Sequence, residues 1–277
     1  MRPDVRYEPA RFYLLTYCFS WTPWVAAAWC SFRPGLESLD QLLMLAGLLG
    51  PLVSALVCLR RERRQELWHD FKDRLVNLQR LNWRYLPVTF LLMPAAAYIA
   101  IQISLSFGRS ATQFALIPNL LAMVPLMFLA PTLEELGWRA YGVDALRARF
   151  AMWPATLLFA ALWATWHVPL FFINHTYQHD LWLLSPIYVA NFFVSVIPAA
   201  IIANWLYYKH RRSIPAAILF HFMLDAVAEA FRIEQFTKCI VTVVFLAVAI
   251  LIMVWDRRSF AAGPRDFIDG LDGAHAR

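Results

Sequence analysis

Long apolar blocks alternate with short charged segments along the whole chain. Eight of these blocks reach the roughly 18–25 residues that a helix needs to cross a bilayer core about 30 Å thick. The pattern therefore predicts an all-α fold, a polytopic bundle of about eight transmembrane helices. The predicted spans are residues 12–32, 40–59, 85–106, 114–139, 152–173, 184–208, 214–231 and 237–255.

The segment between the second and third predicted spans, residues 60–84, is too polar to cross a membrane. Its apolar residues recur at helical spacing, with Arg and Lys around them: Trp68, Phe71, Leu75 and Leu78. This spacing predicts an amphipathic helix that lies in the plane of the membrane interface. A solvated basic loop is the alternative interpretation.

Composition and charge both indicate a membrane protein. Hydrophobic residues make up 60% of the chain and charged residues 16%, against about half and about a quarter in soluble domains. If both termini are cytoplasmic, 21 of the 25 Lys and Arg residues fall on the cytoplasmic side of the predicted spans, in line with the positive-inside rule. Topology then explains the net charge of +6. We therefore expect the lipid bilayer of the cell membrane, and not nucleic acid, as the partner of this multi-pass chain.

Ionisable residues inside apolar spans are energetically costly and rare unless they have a function. In the first such segment, Glu134 and Glu135 are adjacent and point about 100° apart on a helix. Glu135 and Arg139 are four residues apart and can pair, which leaves Glu134 available as a general base. The alternative is a segment that leaves the membrane and carries ordinary interfacial charges.

The second and third segments contribute two histidines and an aspartate. His167 stands in an otherwise uncharged run, where a lone histidine is more often a satisfied core residue than a catalyst. His221 and Asp225 are four residues apart and share one helical face, which a buried structural pair would also explain. We predict that the fourth helix continues past Glu134, so that these residues meet at similar depths within the bundle.

In this order, the residues resemble the motifs of the CPBP family. That family comprises type 2 CAAX prenyl proteases and bacterial relatives linked to bacteriocin processing and immunity. The matching motifs are Glu134-Glu135-x-x-x-Arg139, Trp163-x-x-x-His167, His221-x-x-x-Asp225 and Gly50-Pro51.

The resemblance implies an intramembrane endopeptidase of the CAAX-protease type. Its substrate would be a peptide or a membrane-associated protein, cleaved near the cytoplasmic face. We expect one helical membrane domain over residues 1–255, with a protease-like core at 114–231. The polar cytoplasmic tail at 256–277 is expected to be poorly ordered. The Glu135–Arg139 pair would support the site.

By position, the resemblance assigns Glu134 and His167 the role of holding and activating a water molecule. It assigns His221 and the residue at position 225 the role of stabilising the oxyanion. Both roles agree with general chemistry, because a carboxylate in an apolar pocket can act as a base and fixed donors in a dry site stabilise developing charge.

Two positions depart from the family. Trp163 stands where the family commonly has Phe, and we expect it to reshape the pocket wall only. Asp225 stands where the eukaryotic prenyl-protein enzymes carry Asn. An ionised Asp would repel an oxyanion, so Asp225 must be protonated, salt-bridged or a metal ligand.

A zinc cofactor is therefore an open alternative, with ligands drawn from Glu134, His167, His221 and Asp225. We favour a metal-free mechanism, because no HExxH-type helix places two histidines together.

Two other functional classes remain open. A catalytically silent immunity or scaffold relative would be expected to have lost Glu134, His167 or His221, and all three are present. A transporter with intramembrane charges commonly has inverted repeats, and the sequence shows no such symmetry.

Overall fold

The computed structural model describes residues 7–60 and 65–267. The predicted all-α fold is confirmed, since the β pairing within these residues is limited to an isolated bridge between Leu116 and Phe231. The α-helices are α1 (Pro9–Cys30), α2 (Glu37–Leu48), α3 (Gly50–Arg60), α4 (Gln65–Val76), α5 (Leu86–Ser106), α6 (Leu120–Gly137), α7 (Val143–Arg147), α8 (Met152–Trp166), α9 (Tyr177–Leu184), α10 (Pro186–Lys209), α11 (Ile214–Ala230), α12 (Gln235–Trp255) and α13 (Arg257–Ala261).

Every predicted span corresponds to one or two of these helices, but eight is an approximate count. In the described part of the chain, five helical elements are long and apolar enough to cross a membrane, and the pair α2–α3, bent by 42°, would make six. Helix α1 is long enough but less apolar, and α11 has 17 residues. The molecule is a multi-pass helical membrane protein.

One apolar element runs without a break from Leu120 to Arg147 and carries the first charged motif. It consists of α6, a π-helical turn over Trp138–Gly142, and α7. π-Helical turns are rare and occur frequently at functional sites. Because the helix continues past Glu134, this residue lies inside the bundle, where it is 7% exposed.

Helix α3 packs closely against this long element. A Cβ atom on Gly137 would overlap the backbone and side chain of Pro51, so the approach requires glycine. Pro51 lies in the first turn of α3, directly after the bend. The contact therefore holds the helical turn that follows Glu134 and Glu135.

The predicted amphipathic helix is present as α4, but much of its buried face contacts protein. Leu67 and Phe71 belong to the main core. Leu78, which we expected on the same apolar face, lies beyond the helix and is exposed. Asp70 and Arg74 are 4% and 1% exposed. Part of the stripe that was predicted to face the bilayer thus attaches α4 to the bundle.

A buried ion network makes this attachment. Arg74 donates to the carbonyl oxygens of Arg139 at 2.7 Å and Ala140 at 2.9 Å, and it pairs with Asp70 at 2.8 Å. Arg212, in the loop after α10, donates to both carboxylate oxygens of Asp70 at 2.9 Å. Burial would raise the pKa of Asp70, but the two arginines hold it well below its usual range. The carboxylate therefore stays charged and keeps α4 on the π-helical turn.

The first part of the polar tail is packed. Residues Arg257–Ala261 form α13, and Phe260 and Phe267 are buried. The expectation of poor order is therefore wrong for this part. Residues 268–277 of the predicted tail lie outside the described residues.

Candidate active site

Glu134 is oriented by two tryptophans that donate to the same carboxylate oxygen. Its Oε2 atom accepts a hydrogen bond from Trp138 Nε1 at 3.2 Å and another from Trp163 Nε1 at 3.0 Å. Trp138 lies one helical turn further along the same element, whereas Trp163 comes from α8. With Oε2 engaged, the Oε1 atom is left to contact a water molecule or substrate.

Glu135 forms the predicted pair with Arg139, and the pair is fully buried. Arg139 Nη1 donates to Glu135 Oε1 at 2.8 Å, with side chains 0% and 1% exposed. Arg139 Nη2 also donates to Asn204 Oδ1 at 3.2 Å, and Asn204 Nδ2 donates to Thr156 Oγ1 at 3.2 Å. A buried charge is tolerated only when it is paired and hydrogen-bonded. These hydrogen bonds to α8 and α10 meet that condition in part, since Glu135 Oε2 and Arg139 Nε have no hydrogen-bond partner among the described residues.

His221 lies between two carboxylates. Its Nδ1–H donates to Glu135 Oε1 at 2.9 Å, and its Nε2 lies 3.7 Å from Asp225 Oδ2. The His221 side chain is 7% exposed and that of Asp225 is 41% exposed. The helical spacing of four residues thus places Asp225 beside the imidazole, toward a more open part of the site.

His167 ends α8 and presents one free ring nitrogen. Its Nδ1–H donates to the Trp163 carbonyl at 2.7 Å, which leaves Nε2 as an acceptor. The ring packs edge-on against Trp166 and Phe192, with centroids 4.8 Å and 5.3 Å away. A short 3-10 helix, Val168–Phe172, follows at once. The helix therefore changes type directly after His167, and Pro169 lies in the new helix.

The three charged segments converge on Trp163. Its ring centroid lies 5.2 Å from that of His221 and 6.1 Å from that of His167, and its indole nitrogen binds Glu134. The structure thus brings Glu134, His167, His221 and Asp225 into one region of the bundle, with Asp225 at its more exposed edge. A buried carboxylate beside an imidazole acceptor can hold and deprotonate a water molecule.

Zinc does not fit this arrangement of donors. Within residues 7–60 and 65–267, no three His, Cys, Asp or Glu side chains converge closely enough to hold a metal ion. One of the two Glu134 carboxylate oxygens is also already engaged by two indole donors.

The donors around Glu134 were not predicted from the sequence. Trp163 does more than shape the pocket wall, because its indole N–H binds the carboxylate, which a Phe cannot do. Trp138 stands four residues after Glu134, so helical spacing alone could have indicated the contact. Asn204 carries no local sign of its role, because its partners lie on other helices.

A multi-pass bundle that buries a glutamate beside two histidines has the arrangement expected of a membrane-embedded peptidase. A family model described as type II CAAX prenyl endopeptidase Rce1-like matches residues 116–227, a range that includes every candidate site residue. A protein of Methanococcus maripaludis described as CAAX prenyl protease 2 is 37% identical over 266 residues, covering 94% of this chain and 98% of the relative.

The chain therefore belongs to the Rce1-like family of type II CAAX prenyl endopeptidases and is an intramembrane endopeptidase of the CAAX type. The resemblance inferred from the motifs is confirmed. Peptides or proteins are accordingly its class of substrate, and the transporter alternative is not supported.

Proposed function

We propose that the chain hydrolyses a peptide bond in a C-terminal prenylated CAAX sequence by a metal-free mechanism. The observation that carries this proposal is the orientation of Glu134, whose Oε2 is held by two indole donors. The similarity to the Methanococcus maripaludis protein described as CAAX prenyl protease 2 supports this substrate class. A catalytically silent relative is the alternative that the experiment below decides.

In the proposed reaction, a water molecule is held between Glu134 Oε1 and His167 Nε2. Glu134 takes a proton as the water oxygen attacks the scissile carbonyl. The carbonyl oxygen becomes an oxyanion, and the tetrahedral intermediate then collapses as the C–N bond breaks. Glu134 returns its proton to the leaving amine.

His221 supplies the donor for the oxyanion in this proposal. Its Nδ1–H is already given to Glu135, so only a doubly protonated imidazole can donate from Nε2. Opposite charges a few ångströms away favour the charged form of a titratable group, and both Glu135 and Asp225 lie beside this ring. Asp225 then acts on the imidazolium and need not contact the oxyanion.

We also propose that the end of the bundle carrying α4 and the loop after α10 faces the cytoplasm, with both termini on that side of the cell membrane. The distribution of 21 of 25 basic residues supports this orientation. Reporter fusions to each terminus, active only in the cytoplasm or only outside it, test it. Outward-facing signals from either terminus would contradict it.

The test of activity uses the full chain in liposomes and a fluorogenic peptide ending in a prenylated CAAX sequence. We expect cleavage by the wild type and its loss in Glu134→Gln and His221→Ala. Glu229→Gln is the matched control, because Glu229 lies on the same helix as His221 but its side chain is 52% exposed. Full activity in Glu134→Gln would refute the mechanism.

The control peptide lacks the prenyl group. Equal cleavage of both peptides would refute the prenyl specificity while leaving a peptidase. An inactive but folded wild type would indicate the silent relative, and comparative proteomics of cells carrying wild type or Glu134→Ala extends the search to other substrates.

A further inference from the structure

A cavity of about 350 Å³ lies at the end of the bundle formed by α7, the end of α10, and the segment around α13. We call it the basic cavity, because five cationic side chains line it: Arg80, Arg147, Lys209, Arg211 and Arg212. Arg147 follows Glu134 by thirteen residues along one helix, roughly 20 Å at helical rise. The basic cavity is therefore separate from the candidate active site.

Three of these cations already have carboxylate partners among the described residues. Their pairs are Arg80–Asp73, Lys209–Asp256 and Arg212 with Asp70 and Asp144. Among the described lining residues, the one carboxylate is that of Asp266, which accepts a hydrogen bond from the Gly263 backbone N–H. The remaining two cations, Arg147 and Arg211, outnumber the negative charge of Asp266, so the described lining of the basic cavity keeps a net positive charge.

Arg147 is a buried cation that lacks a counter-ion among the described residues. It is 4% exposed, and it donates to the carbonyls of Phe150 at 2.6 Å and Gly263 at 3.5 Å. Its Nε has no hydrogen-bond partner in the described part of the chain. The Phe267 ring lies 5.4 Å from the guanidinium, a weak contact that does not neutralise its charge.

Arg211 stands at the mouth of the same cavity and is exposed. Its Nη1 donates to the Gln79 carbonyl at 3.1 Å, and no carboxylate lies within ion-pair distance of it among residues 7–60 and 65–267. Two guanidinium groups therefore line the same cavity, that of Arg147 in its interior and that of Arg211 at its rim. Both retain N–H donors that are not used in hydrogen bonds.

A buried charge without a partner is strongly unfavourable, so an anion in this cavity would be stabilising. The guanidinium fork matches the oxygens of a phosphate group better than an ammonium does. Basic pockets at the cytoplasmic ends of membrane helices are suited to phospholipid headgroups. Met152 and Tyr208 provide an apolar wall for the rest of such a molecule.

We propose that the basic cavity binds a phosphate group, held by Arg147 from within and by Arg211 at the rim. The group is supplied by an anionic phospholipid headgroup or by free phosphate. This site is independent of the proposed peptidase reaction, and its test does not depend on activity.

The experiment measures ligand binding to the full chain in a non-ionic detergent, by native mass spectrometry and by thermal shift. The probes are phosphatidylglycerol, phosphatidylcholine and inorganic phosphate. We expect one bound phosphatidylglycerol per chain, with at least tenfold weaker affinity in Arg211→Gln and in Arg147→Gln. If Arg147→Gln does not fold, Arg211→Gln alone still tests the proposal, because the Arg211 side chain is exposed and its replacement should not disturb the fold.

Arg84→Gln is the matched control, because Arg84 is exposed near the same end of the bundle but does not line the cavity. It should bind like the wild type. Inorganic phosphate that binds with the same variant pattern would support the site and identify free phosphate as its source. Equal weakening in Arg84→Gln, or equal binding of phosphatidylcholine, would indicate general surface attraction and overturn the proposal.

A variant ending at Phe267 provides the last arm, since residues 268–277 contain Asp269 and Asp272. If only this shortened chain binds the probes, the chain's own acidic residues are the natural counter-ion and the proposal is wrong. The absence of binding by both forms would also refute it.

Discussion

Replacing Trp163 by Phe should remove one hydrogen bond from Glu134 while keeping an aromatic side chain in place. The indole N–H donates to Glu134 Oε2 at 3.0 Å, and the ring stacks on Phe159 with centroids 5.6 Å apart. Phe can preserve much of the stacking but has no donor. The change therefore tests whether Trp163 positions the proposed base.

The expected magnitude follows from the strength of this contact. A hydrogen bond to a charged group contributes about 1.5–3 kcal/mol. Trp138 still donates to the same oxygen at 3.2 Å, so the lower half of that range is the better expectation. At about 1.4 kcal/mol per factor of ten, kcat should fall roughly tenfold to fortyfold. KM should change little, because Trp163 is proposed to orient the base and not to bind the substrate.

The assay is the cleavage of the prenylated reporter peptide in liposomes, with kcat and KM measured separately. Trp205→Phe is the matched control, because Trp205 is 3% exposed and its indole N–H also donates to a carboxylate, Asp256, at 2.8 Å. Both variants should lose thermal stability, but only Trp163→Phe should lose kcat. Equal losses of kcat in both variants, or an unchanged kcat in Trp163→Phe, would refute a positioning role.

Four further outcomes are expected. Asp70→Asn should destabilise the fold by about 3–5 kcal/mol, because it leaves two buried arginines under-compensated, and a thermal melt against Asp73→Asn, whose side chain is 45% exposed, measures the difference. Burial lowers the pKa of His210 in the folded protein. The stability that neutral His210 contributes is therefore present above about pH 6.5 and is lost as the pH falls through the lower pKa of the folded state. Melting temperatures should consequently fall more between pH 7.5 and 5.5 for the wild type than for His210→Gln. Metal analysis should find no stoichiometric zinc, and activity should survive a chelator; one zinc per chain that disappears in His221→Ala would contradict the metal-free mechanism. Asp225→Asn should retain measurable activity with a changed pH profile, whereas complete loss at every pH would show that the carboxylate has a direct role.

The helices could be predicted from the sequence because a chain in a bilayer must satisfy its backbone hydrogen bonds internally, and helices of about twenty apolar residues do so. The bend between α2 and α3 was not predicted, although Gly50 and Pro51 stand directly at it and a proline removes a backbone donor from a helix. The spacing of apolar residues revealed α4. It did not reveal that Asp70 and Arg74 are buried, because their burial depends on further partners that are distant in the sequence: Arg212 and the carbonyls of Arg139 and Ala140.

The candidate site shows the same limit. Pairs four residues apart could be read from the sequence, and Glu135 does pair with Arg139. The contact between Glu135 and His221 at 2.9 Å could not, since it joins two helices. Trp163 was expected only to reshape the pocket wall. Its hydrogen bond to Glu134 depends on how α6 and α8 are rotated relative to each other, which the spacing of residues within one helix does not give. Local spacing thus selected the candidate residues, while tertiary packing determines which of their atoms are free.

The position of His221 also explains how an Asp can stand at position 225. If Asp225 had to donate to the oxyanion, its negative charge would be a defect. The structure places its carboxylate 3.7 Å from Nε2 of His221, while Glu135 accepts the proton of Nδ1. A histidine between two carboxylates is best suited to be an imidazolium, and an imidazolium has the donor that the oxyanion needs. In the proposed mechanism, Asp225 therefore acts through His221, and the difference between Asp and Asn changes the proton affinity of the imidazole and not the identity of the donor.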